Sequence, residues 1–249
     1  MTDHIIVTDS EDGVRTITMN RPDKRNALTV AMYDALATAV ATAGDNAGAV
    51  LIQGSGGFFT GGNDIMDFVA NPPTGDDSAV FRFLYAILDC PVPVVASVQG
   101  PAVGIGTTML LHCDVIHASP DARFSLPFID LGLVPEAASS VLLPRLIGHV
   151  RAARMLMLGE ALSAQEALEA GLITAIAPQE EVDAAARAAA ATLAAKPRGA
   201  MRTTKSLMKP DRAELLAVMK KEGALFAQAL RSPEAMAAFQ SFLMKGRKG

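Results

Sequence analysis

Basic excess, long apolar runs and cysteine are what this chain of 249 residues has little of. Its 22 Lys and Arg stand against 26 Asp and Glu, a net charge of −4. A nucleic-acid backbone is gripped by clustered cations, so nucleic acid is not an expected partner. No stretch approaches the ~20 apolar residues that a membrane helix needs, so a membrane is not expected either. Two cysteines, Cys90 and Cys113, are too few to imply a disulfide framework. The start, Met1-Thr2-Asp3-His4, lacks the basic segment and apolar core of a signal peptide. Gly246-Arg247-Lys248-Gly249 is not a peroxisomal Ser-Lys-Leu address. A soluble, cytoplasmic protein is the expectation.

Several catalytic motifs are also missing. There is no Gly-x-x-x-x-Gly-Lys phosphate loop and no zinc-type Cys/His spacing, so no metal is expected. Neither glycine cluster completes Gly-x-Gly-x-x-Gly, because the sixth position is Phe59 in one and Met109 in the other. A Gly-x-Ser-x-Gly elbow fails at Gln53, two before Ser55. His112-Cys113-Asp114 looks chemical, but neighbours on a helix point in different directions, and the triplet reads as the end of a core helix.

Half the residues are hydrophobic, enough for a sizeable core. Ile5–Thr8 and Val14–Met19 read as a hairpin around Asp12-Gly13. Thr29 caps a helix to about Ala43. Asp64 caps a short helix, Ile65 to Val69, and Ser78 to Asp89 form another. Strands at 49–52, 92–98 and 114–118 alternate with helical stretches, including Gly106 to Cys113, which favours a largely parallel α/β core. From about Pro144 the pattern turns helical: 151–158, 164–170, 180–196, 213–230 and 233–245, with one more strand at 172–177. The last ~50 residues read as a helical appendage of the kind that often serves assembly.

Two glycine-rich turns carry the most information. Gly54-Ser55-Gly56-Gly57-Phe58-Phe59-Thr60-Gly61-Gly62-Asn63-Asp64 follows one apolar strand, and Gly100-Pro101-Ala102-Val103-Gly104-Ile105-Gly106 follows the next. Glycine permits sharp turns and close approach of a ligand to the main chain. The first N–H groups of a helix lack internal partners and can point at an anion. Two such turns side by side can supply two N–H donors to one oxygen, the arrangement that stabilises an enolate or a tetrahedral intermediate. Two ordinary strand-to-helix turns are the alternative.

The candidate for proton transfer is Glu136, in Leu133-Val134-Pro135-Glu136-Ala137-Ala138. No basic residue lies within eight positions on either side. A carboxyl in apolar surroundings has a raised pKa and serves as a general base near neutral pH. A second reading stays open: Pro135 at the first helical position with Glu136 in the first turn is also good placement for a purely structural acid.

These residues resemble the enoyl-CoA hydratase/isomerase (crotonase) family. The likeness runs from the loop Asn20-Arg21-Pro22-Asp23-Lys24-Arg25-Asn26-Ala27-Leu28, through the two glycine turns, to Gly159–Ala167 and Ala170-Gly171-Leu172-Ile173, and covers nearly the whole chain. It implies an α/β fold, a spiral of ββα units over 1–196, with a helical trimerisation region at 197–249. Homotrimers or dimers of trimers follow from the same resemblance. It implies an acyl-CoA thioester as substrate, with coenzyme A part of that substrate and no separate cofactor. The thioester oxygen would sit on the main-chain N–H groups of Asn63 and Ile105. Coenzyme A and acyl contacts would come from Lys24, Arg25, Ala27, Leu28, Gly61, Gly62, Asp64, Ile65, Gly104 and Phe128. Lys245, Arg247 and Lys248 would add charge from a neighbouring subunit. Hydratases of the family carry two glutamates at the positions of Thr108 and Phe128. The Pro135-Glu136 pair instead resembles the peroxisomal type of delta-3,delta-2-enoyl-CoA isomerase, in which one glutamate takes a proton from C2 and returns it at C4. A hydratase, or an isomerase of ring-bearing acyl-CoA, is the alternative within the family; RNA binding, known among relatives, is disfavoured by the acidic balance.

Overall fold

The computed structural model describes residues 3–72, 75, 77–209 and 211–246. The strands are β1 (Ile5–Asp9), β2 (Val14–Met19), β3 (Ala49–Gly54), β4 (Val94–Val98), β5 (Pro101–Val103), β6 (Val115–Ala118), β7 (Arg123–Ser125), β8 (Leu162–Ser163) and β9 (Ala175–Ile176). The helices are α1 (Val30–Ala41), α2 (Ala43–Asn46), α3 (Ile65–Ala70), α4 (Ala79–Asp89), α5 (Ile105–Thr108), α6 (Ser139–Ile147), α7 (His149–Met157), α8 (Ala164–Glu169), α9 (Val182–Ala194), α10 (Arg198–Met208), α11 (Arg212–Ala229) and α12 (Pro233–Gly246). The main sheet has the order β1-β2-β3-β4-β6-β9, and a small sheet the order β5-β7-β8. The β1–β2 hairpin is antiparallel and the rest of the main sheet is parallel.

Successive strand residues face opposite sides of a sheet. Val14, Ala49, Leu51 and Val95 pack on Ala186 and Ala190 of α9. Ile17, Val50, Ile52, Val94 and Ala96 point the other way, into the core shared with α1 and α4. Both faces are covered, which is why β3 and β4 are near-continuous apolar runs. Each Val, Leu or Ile buried in this way contributes about 1.5–3 kcal/mol. The Thr29 side chain caps α1, accepting from Met32 N (3.3 Å). Across the α1–α4 interface the rings of Tyr33 and Phe83 lie 5.9 Å apart.

Four expectations from the sequence need correcting. The helix expected over 106–113 is the short α5 followed by a 3-10 turn, Met109–His112. Of 172–177 only Ala175 and Ile176 pair as strand. The helical pattern expected from about Pro144 starts earlier, because α6 begins at Ser139 and holds Pro144 in its interior. Helix α10 was not expected, because its glycine and paired threonines are poor helix formers. Tertiary contacts override that propensity: buried Lys205 donates to Val92 O (2.7 Å) and to Asp114 Oδ2 (2.6 Å). The C-terminal helices lie against the rest of the chain, with Phe226, Ala235 and Phe239 buried in the main core.

Candidate active site

The two glycine turns meet edge to edge. Phe59 N donates to Gln99 O (2.7 Å), Thr60 N to Pro101 O (3.2 Å) and Val103 N to Thr60 O (3.1 Å). Gly62 has φ +88°, and a Cβ there would stand 2.9 Å from Val103 O, so only glycine allows this approach. The loop at 24–28 closes the other side: Leu28 N donates to Gly62 O (2.8 Å) and Asp64 N to Leu28 O (2.8 Å).

These bonds leave selected donors over. Gly61 N donates to Arg25 O (2.8 Å) and Gly62 N to Thr60 Oγ1 (3.1 Å). Between Gly62 and Asp64, the N–H of Asn63 has no acceptor among the described residues. In the second turn Gly104 N donates to Ser125 O (2.9 Å), while the N–H of Ile105 opens helix α5 without an acceptor among the described residues. The Asn63 side chain is fixed from below by the buried Tyr33, whose hydroxyl donates to Asn63 Oδ1 (2.5 Å).

Glu136 stands close to Tyr33. Burial and the nearby Glu136 charge together hold the Tyr33 hydroxyl well above the ordinary tyrosine range. Glu136 is 7% exposed, and its Oε1 is buried without a hydrogen-bond partner among the described residues. Its pKa is pushed up to about 8, first by burial and then by the charge of Glu222, while Thr108 beside it pulls slightly the other way. It lines a pocket with Phe68, Val80, Phe81, Leu84, Met219, Gly223 and Phe226.

Glu136 does not occupy the first turn of a helix. Helix α6 begins at Ser139, three residues later, so Glu136 sits in a loop outside the helix. Ala137 (φ +60°) and Ala138 (φ +58°) are left-handed, which costs a non-glycine residue of order 1–3 kcal/mol each. Tertiary bonds hold them there. His112 Nε2 bonds Ala137 O (2.9 Å), and Ser139 Oγ donates to Glu136 O (2.5 Å). Glu222 of α11 accepts from Ala138 N (2.7 Å), Ser140 N (3.0 Å) and Ser140 Oγ (2.5 Å). His112 is buried as the sequence suggested, and burial drives its pKa down to about 4, so its ring is neutral.

The other sequence candidates lie in varied surroundings. Phe128 is buried, stacks edge-on with Phe226 (6.3 Å), and lies 4.0 Å from where a Cβ on Gly104 would be. Thr108 is fully buried, with its hydroxyl towards Ile105 O (3.4 Å). Asp64 caps α3 by accepting from Met66 N and Asp67 N, and pairs with Arg21 (2.7 Å). Ile65 packs on the core, and Ala27 is half-buried. Lys24 and Arg25 are exposed at the outer edge of the turn. The Lys245 side chain, Arg247 and Lys248 lie outside the described residues. Tyr33, Phe68, Phe81, Glu222 and Phe226 went unread in the sequence. One signal was available: Gly223 inside α11 marks a close approach, since a Cβ there would fall 2.3 Å from Phe81 Cζ. Among the described residues no three His, Cys, Asp or Glu gather as a metal site would need, and no helix is long and apolar enough to cross a membrane.

A family model described as enoyl-CoA hydratase/isomerase matches residues 9–248. The chain is similar to enoyl-CoA delta isomerase 2 of Rattus norvegicus, at 36% identity over 98% of this chain and 64% of that protein. It therefore spans just under two thirds of the rat protein's length. Peroxisomal enoyl-CoA delta isomerase 3 of Mus musculus is 34% identical over 98% of this chain and 79% of that protein. The crystal structure of an enoyl-CoA hydratase/isomerase from Pseudoalteromonas atlantica T6c matches with a TM-score of 0.94 and 39% identity, covering 98% of each chain. The α/β architecture described above is thus the crotonase fold.

Proposed function

The chain belongs to the enoyl-CoA hydratase/isomerase family, and from that premise we propose that it moves the double bond of a 3-enoyl-CoA to the 2-position. Glu136, as carboxylate, takes a proton from C2 of the thioester. The C–H electron pair passes into the carbonyl and leaves an extended dienolate. The N–H groups of Asn63 and Ile105 hold its oxyanion. Glu136, now protonated, delivers the same proton to C4, the carbonyl re-forms, and the double bond lies between C2 and C3. Atoms and charge balance without a co-reactant.

The observation that carries this reading is Glu136 itself: a buried carboxyl with one oxygen unpartnered, in an apolar pocket. Hydration needs a second acid or base to handle water. Thr108 and Phe128 stand where such groups are expected and can do neither. Glu222 does not supply it, since both its oxygens are occupied by the loop backbone and Ser140.

The test is to follow a straight-chain 3-enoyl-CoA for double-bond migration, beside 2-enoyl-CoA in water for hydration. Migration should be the faster reaction. The base must be unprotonated, and its proton affinity is raised, so kcat/KM should climb with pH and reach half its maximum near pH 8. Hydration outrunning migration would overturn the proposal.

A further inference from the structure

A buried acid that does not itself line the pocket carries a charge that acts on the proton carrier. Glu222 lies on α11 and is 6% exposed. Its Oε2 accepts from Ala138 N, and its Oε1 accepts from Ser140 N and Ser140 Oγ. Helix α6 has alanine at its N-cap, with no side chain able to cap. The cap comes instead from a carboxylate more than 80 residues further along the chain. The negative charge at the helix start is favoured there by the helix dipole.

We propose that Glu222 is a positioning residue for Glu136: it caps α6 from α11, holds the left-handed Ala137-Ala138 pair, and sets a carboxylate beside the proton carrier. This rests on the reading of Glu136 as the base. The loop can present Glu136 to the pocket only while Ala137 and Ala138 stay left-handed. Glu222 binds the N–H of the second of these and the N–H two residues on. Burial, the larger influence, raises the proton affinity of Glu222 above that of an ordinary glutamate, and its three donors work against burial by favouring the ionised form. The ionised neighbour then disfavours charge on Glu136 and raises its proton affinity beyond what burial alone does. Tyr33 from α1, Thr108 from α5 and His112 from the 3-10 turn are the other groups around this pair. Lys205 and Lys209 act on His112 but on neither carboxyl.

Two variants and two readouts test this. Glu222→Gln removes the charge but keeps one acceptor oxygen. The rise of kcat/KM with pH should move down by about one pH unit, with KM for 3-enoyl-CoA within about twofold of the native value. Ser140→Ala, the milder change, deletes one donor, makes Glu222 easier to protonate, and should move the profile the same way by less. The second readout needs no activity. The infrared band of the protonated Glu136 carboxyl, assigned by its loss in Glu136→Gln, should titrate at lower pH in both variants. A band and a profile unmoved in both variants overturn the inference, as does a loss of kcat in Glu222→Gln with no change in pH dependence. If native protein fails to migrate the double bond while the band still shifts, the proposed reaction falls and the coupling stands.

Discussion

The two halves of the site are built from different materials. The proposed oxygen-binding half, at Asn63 and Ile105, is main chain held by main chain, with the N–H groups of Gly61, Gly62, Asp64 and Gly104 already engaged. The proposed proton-moving half, at Glu136, is a side chain on a strained loop, held by His112 and by Glu222 from α11. The first half tolerates side-chain change because its working atoms are peptide groups. The second depends on individual carboxyl and imidazole groups, so single substitutions should reach it easily.

The largest effect should come from the second half. Glu136→Gln removes the base and should lower kcat by about 10²–10⁴-fold, with acyl-CoA binding retained. Near-native turnover in that variant would end the distinction between the halves. In the first half the contrast lies between two changes at one position. Ile105→Pro deletes the donor at the first residue of a helix, where proline is otherwise well placed, and should cost ~10²–10³ in kcat. Ile105→Val keeps the N–H and should stay within a few-fold. Equal losses in both would show that the side chain, and not the peptide group, is at work.

Stability gives a smaller, opposite signal. The folded pKa of Glu136 lies near 8, above the 4.5 of an unperturbed glutamate. Burial therefore costs the native protein stability progressively as pH rises from about 4.5 through 8, where the charge is forced on. Glu136→Gln has no such charge to bury. Its unfolding free energy relative to native should rise over that window, on the order of a few kcal/mol at the alkaline end. A constant difference across pH would argue against a buried, titrating Glu136. The smallest effect belongs at the outer edge. Neutralising Lys24 and Arg25 together should raise KM for acyl-CoA by a few-fold, leave kcat nearly alone, and lose its effect as salt increases. An unchanged KM at low salt would detach that loop from the nucleotide.

The oxygen-binding half was legible because its signals are local. The glycine spacing, Thr29 ahead of α1 and Asp64 ahead of α3 each act within a few residues, and each sits where the sequence put it. The loop of Glu136 was legible only as an ambiguity. Pro135-Glu136 read equally well as a helix start, because nothing nearby reveals that the cap of α6 comes from Glu222. Lys220-Lys221-Glu222 reads as a solvated stretch of helix, since the Glu222 interaction with α6 exists only once distant segments meet. The same holds for Phe68, Phe81 and Phe226, whose helices converge from three parts of the chain.

The distance along the chain between Ser140 and Glu222 has a consequence in time. Synthesis delivers the amino-terminal part first, and domains fold as their segments become available. Both glycine turns and the sheet that carries them leave the ribosome well before α11 does. For that interval a nascent chain holds the paired peptide donors but lacks the Glu222 carboxylate that caps α6 and holds the Ala137-Ala138 turn. On the proposed mechanism, a chain whose last helices have not docked would lack the carboxylate that supports the loop of its base.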